Sequence, residues 1–156
     1  MDDDPELIKF AQRYAEASCS HEREKVAAFY AKTGTISVNG GPPVSIAEVA
    51  RGFMRDFPDM IVTFDKLENM PTGIEFHWTF TGTNTGPGGT GNRVRISGDE
   101  FWKIDKDGLI SESKGHFDAA EYERQLAAEI RNRRSEVSRF ARTDHLKMTR
   151  AAGSGR

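Results

Sequence analysis

The sequence predicts an α+β domain, and three observations carry that expectation. Apolar residues recur at helical spacing up to about residue 57. From residue 60 the period changes to two, with large aromatics on alternate positions. An acidic cap at Asp118 then restores a helical pattern. Helices gathered before a run of strands argue for an antiparallel sheet packed on them, not for alternating βαβ units.

The elements follow in order. Asp4-Pro5-Glu6 reads as a helix start, with a side-chain acceptor, a proline in the first turn and an acid near the positive dipole end. Leu7, Ala11, Tyr14 and Ser18 then share one helical face. Residues 21–32 read as a second helix anchored by Val26, Phe29 and Tyr30. The run "TGTISVNGGPPVS" is a short strand with a Gly/Pro turn. Ser45 and Glu48 have capping-box spacing. The third helix aligns Ile46, Val49, Phe53 and Phe57, and Pro58 closes it.

"MIVTFDKL" and "IEFHWTFTGT" read as strands, the latter with Ile74, Phe76, Trp78 and Phe80 on one face. Its other face carries Glu75, His77, Thr79 and Thr81. "GTNTGPGGTGN" is a glycine-rich loop expected to shape a pocket mouth; it lacks the Lys-Ser/Thr ending of a phosphate loop. In "VRISGDEFWKID" the inward set is Val94, Ile96, Gly98, Glu100, Trp102 and Ile104. Asp107-Gly108 marks a hairpin into "LISESKGHF", whose His116 falls on the outer face with Lys114. Asp118 and Glu121 cap a final helix, and Phe117 and Tyr122 stand at hydrophobic-staple positions.

Residues 1–130 are expected to form the domain and 131–156 a basic extension, partly helical or disordered. The net charge of −2 gives no general attraction to nucleic acid or anionic lipid. The acidic start has no long apolar run, so neither a secretory signal nor a membrane span is expected. One cysteine, Cys19, excludes an internal disulfide, and no Cys/His spacing suggests a metal. A cytoplasmic protein without metal or organic cofactor is the expectation.

The segments "FPDMIVTFDKL", "HWTFTGTNTGP", "TGNRVRISGDEFWKI" and "DGLISESKGHFDAAEYERQL" resemble the nuclear-transport-factor-2-like superfamily, in particular its SnoaL-like polyketide cyclase branch. The resemblance spans roughly residues 5–128. It implies a cone-shaped fold, a curved antiparallel sheet wrapped on three N-terminal helices, with an extra C-terminal helix. It also implies a pocket between helices and sheet, and a homodimer formed through the sheet. "AQRYAEA" and "DEFWKIDKDGLI" resemble, more faintly, the ketosteroid isomerase segments that carry an oxyanion-hole tyrosine and a protonated acid. Tyr14 and Glu100 fall on those positions. The isomerase's base would fall near Ile36, Ser37, Val38 and Asn39, none of them a carboxylate. The cyclase's acid/base aspartate would fall near Gly115 or Asp118, and Asn84 replaces a family histidine.

Glu100 is thus either a snorkelling or backbone-tied carboxylate or a pocket carboxyl whose pKa burial would raise. With Tyr14 it would polarise a substrate oxygen, and Asp118 is the reserve for proton transfer. Phe53, Phe76, Trp78, Trp102, Phe117, Tyr30 and Asn84 are the expected ligand-binding residues. The expected function is cofactor-independent isomerase, cyclase or hydrolase chemistry on a hydrophobic, carbonyl-bearing molecule. The alternative is a noncatalytic binding or dimerisation module.

Overall fold

A computed structural model describes residues 4–134 of the chain. Helices α1 (Pro5–Ser18) and α2 (Arg23–Ala27) precede β1 (Tyr30–Val38) and α3 (Ile46–Asp56). Strands β2 (Ile61–Met70), β3 (Gly73–Thr83), β4 (Arg93–Ile104) and β5 (Ile110–Phe117) follow, and α4 (Ala119–Arg134) ends the described chain. The sheet runs β1-β5-β4-β3-β2, and the architecture is α+β as expected. One feature differs from a purely antiparallel sheet: β1 pairs with β5 in parallel. A parallel pair needs a long crossover, and here everything between residues 38 and 110 supplies it.

Local chemistry sets the helix ends. Asp4 accepts hydrogen bonds from the Glu6 and Leu7 amides at 3.0 and 3.3 Å, which satisfies two orphan donors of α1. At α3 the capping box does not form. Ser45 Oγ accepts from the Ala47 amide instead, and Glu48 turns to Arg51 at 2.7 Å. At α4 the cap and staple both form: Asp118 accepts from the Glu121 amide at 3.0 Å, and the Phe117 and Tyr122 rings meet at 5.5 Å. Helix α4 crosses residue 130 and ends at Arg134, and residues 135–156 lie outside the described ones.

The second helix is shorter than its apolar spacing suggests. It stops at Ala27, and Tyr30 opens a strand registered with Ile110. The run from Tyr30 to Val38 is rich in Tyr, Thr, Ile and Val, which suit a pleated surface. Ladder bonds to β5 therefore override helical spacing there. A register irregularity between Tyr30 and Thr35 needs Gly34, where a Cβ would lie 2.6 Å from the Ile110 carbonyl oxygen.

The inner face of the sheet follows the expected alternation. Val94, Ile96 and Trp102 on β4 and Ile74, Phe76 and Phe80 on β3 are buried against the helices. Trp102 stacks on Phe76 with ring centroids 4.8 Å apart and meets Tyr14 edge-on at 5.3 Å. Beyond the end of β5, the upper half of β4 has a free edge. Gln125 of α4 caps it, accepting from the Arg95 amide and donating to its carbonyl. Asn92 donates to the Leu126 carbonyl and holds the same helix. No helix among the described residues is long and apolar enough to cross a membrane.

Candidate functional site

The helices and the inner sheet face enclose a cavity of about 120 Å³. Its walls are almost wholly apolar. Phe53 and Val49 of α3 face Phe76, Trp78 and Ile96 of the sheet, and Phe117 and Tyr122 close one side. Gly98 allows that wall to form, because a Cβ there would strike the Trp78 ring at 2.5 Å. Trp78 Nε1 is buried without a hydrogen-bond partner among the described residues. Among the described residues, one carboxyl group, that of Glu100, belongs to this lining.

Four donors from four elements converge on Glu100. Trp102 Nε1 of β4 donates to Oε1 at 2.8 Å, and Ser113 Oγ of β5 at 3.0 Å. Tyr14 of α1 donates to Oε1 at 3.1 Å, and Tyr30 of β1 at 3.4 Å. The two phenol oxygens also lie 3.1 Å apart. Oε2 receives a single, longer contact from Tyr14 at 3.3 Å. Oε1 is therefore saturated, and Oε2 keeps acceptor capacity.

Glu100 is half-buried and lines the cavity. Burial pushes its pKa up, and the four hydrogen bonds, led by that from Trp102, pull it back. The net direction is upward. Burial, then the charge of Glu100, also pushes the Tyr14 and Tyr30 phenols well above the ordinary tyrosine value. Both phenols therefore stay protonated as donors at neutral pH.

The residues expected from the sequence separate into three groups. Tyr14, Glu100, Phe53, Phe76, Trp78 and Phe117 meet at the cavity. Trp102 and Tyr30 stand behind Glu100 and hold it, and neither is part of the wall. Asp118 and Asn84 are elsewhere. Asp118 is exposed and caps α4. Asn84 is buried in the glycine-rich loop, donating to the Asp56 carbonyl and accepting from the Thr90 amide. That loop is tied to the end of α3 and contributes nothing to the cavity wall.

Sequence reasoning missed Ser113. Its signal was present: Ser113 shares the inward parity of Gly115 and Phe117, and a polar residue on an apolar face needs a partner. Gly115, opposite Glu100 in the ladder, leaves open space beside the carboxyl. A Cβ there would find its nearest neighbour, Glu100 Cγ, at 3.7 Å.

A model of the SnoaL-like domain family matches residues 11–113. No curated protein matches the chain. Among solved structures, TsrD from Streptomyces laurentii aligns with a TM-score of 0.68 at 16% identity, covering 81% of this chain and 98% of that one. A protein of ketosteroid isomerase-like fold from Catenulispora acidiphila, in complex with trimethylamine, aligns with a TM-score of 0.67 at 11% identity, covering 76% and 92%. An LEH-like epoxide hydrolase from M. tuberculosis aligns with a TM-score of 0.63 at 15% identity, covering 81% and 92%. At these identities the alignments show a shared fold.

Proposed function

Because the chain belongs to the SnoaL-like domain family, we propose that it is a cofactor-independent isomerase or cyclase acting on a small hydrophobic molecule that bears a carbonyl group. The observation that carries this reading is the Glu100 carboxyl, raised in pKa and set in an apolar cavity with one oxygen left over. A carboxylate of raised pKa is a stronger base than an exposed one, and the surrounding apolar walls exclude competing water.

In the proposed reaction, Oε2 takes a proton from carbon next to the substrate carbonyl. For an isomerase the same carboxyl returns it to another carbon of the enolate; for a cyclase the carbanion adds to a second carbonyl carbon of the substrate, that C=O π bond becomes the alkoxide, and the carboxyl returns the proton to its oxygen, so no proton is gained or lost overall. Tyr14, Tyr30, Trp102 and Ser113 position the carboxyl through Oε1 and steady its charge. The Tyr14 hydroxyl is spent on Glu100 in the free protein, so polarising a substrate oxygen would require it to turn. Hydrolysis is less well supported, because among the described residues no second charged side chain lines the cavity to orient water.

A noncatalytic binding role is the second reading. It is favoured by Ile36 and Val38, apolar wall residues in the segment where the isomerase-like relatives would carry a base. The test is native mass spectrometry against a panel of hydrophobic carbonyl compounds, followed by proton exchange of each bound compound in heavy water. Exchange by the wild type, with binding but no exchange by Glu100→Gln, is the expected result. Binding without exchange in the wild type would leave the noncatalytic reading. No binding of any compound would remove both.

A further inference from the structure

Away from the cavity, the outer face of the sheet carries a second cluster of chemically capable side chains. Strand β2 is interrupted by a bulge between Phe64 and Lys66. Before it Val62 and Phe64 face inward; after it Leu67 does, opposite Phe76. The same shift brings Glu68 to the outer face, directly opposite Glu75 of β3. His77 lies two residues along that strand, on the same face. The three side chains are partly buried, and their ligand atoms all lie within 4.8 Å of one another.

We propose that Glu68, Glu75 and His77 form a binding site for a divalent cation of the zinc class. His77 Nε2 lies 2.9 Å from Glu75 Oε1 and 3.9 Å from Glu68 Oε1. Nitrogen and oxygen ligands at zinc bond lengths stand about 3.4 Å apart around a tetrahedral ion. The observed separations bracket that spacing, so a cation needs only small side-chain rotations. An imidazole with two carboxylates also suits zinc better than calcium or magnesium, which take oxygen ligands.

The cluster's own charges leave room for the ion. Like charges directly opposite across strands are unfavourable, and Glu68 and Glu75 are such a pair. Lys66 bonds Glu68 Oε2 at 3.1 Å, and Oε1 is the oxygen that approaches His77. Asp99, the β4 neighbour of His77, is engaged by His116 at 3.4 Å. A two-stranded framework within a five-stranded sheet fixes the ligand backbones. No sequence spacing announced the site, because its third ligand arrives across the ladder.

The experiment is equilibrium dialysis of the chelator-treated full chain against zinc chloride alone, with cobalt chloride as a spectroscopic probe. The expected result is one ion per chain, visible cobalt absorption, and a melting temperature raised by zinc. His77→Gln and Glu75→Gln should each weaken binding at least about tenfold, the lower end for disturbing a metal's surroundings. His116→Gln should bind as the wild type does. Unchanged binding in His77→Gln, or no bound zinc at about 100 μM, a level that would detectably stabilise any useful site, would overturn the proposal.

Discussion

Ser113→Ala isolates one hydrogen bond to the buried carboxyl with almost no change in packing. Ser113 is fully buried, and its Oγ donates to Glu100 Oε1 at 3.0 Å. Alanine removes one oxygen and leaves the three other donors in place. A hydrogen bond to a charged group contributes about 1.5–3 kcal/mol, and one to a neutral group about 0.5–1.5 kcal/mol. The cost of the substitution therefore depends on whether Glu100 is ionised.

The sign follows from linkage. The folded pKa of Glu100 is raised, so its contribution to wild-type stability is full below the unfolded value and is lost as pH rises through the folded one. Removing a donor that favours the charged form raises the folded pKa further. Ser113→Ala should thus cost about 1 kcal/mol at about pH 3, well below the unfolded value, where the carboxyl is protonated in both states. It should cost about 2 kcal/mol once pH exceeds the folded pKa. The assay is urea unfolding across that range, paired with NMR titration of the Glu100 carboxyl carbon. A loss that shrinks with rising pH, or a Glu100 pKa at or below the ordinary glutamate value, would refute the reasoning.

Two further outcomes are expected. Gly115→Ala should fold normally, because its Cβ meets nothing closer than 3.7 Å, and should bind cavity ligands more weakly; Gly34→Ala, whose Cβ would lie 2.6 Å from the Ile110 oxygen, should lower the melting temperature clearly. We also propose that the outer face carrying Glu75, His77, Thr79 and Thr81 forms a twofold dimer; sedimentation at tens of micromolar should show it, and a monomer alone would exclude it.

Sequence alone determined the faces of β3 and β4 and the starts of α1, α3 and α4. The inward set of β4, Val94 to Ile104 with Glu100 in its midst, follows from a period of two, which is a local property. The Asp4 and Asp118 caps are equally local, each satisfied within three residues. Tyr14 and Glu100 were legible as partners through the family resemblance and the cost of burying a lone carboxyl. Tertiary structure alone decided the rest. Tyr30 reaches Glu100 because pairing with β5 converts the end of an apparent helix into a strand. Ser113 joins it because the ladder sets Glu100 against Gly115, one inward position away. Glu68 meets His77 because a bulge reverses the parity of β2. Each of these depends on contacts between distant segments, and periodicity along one segment records only which side is buried, not what waits there.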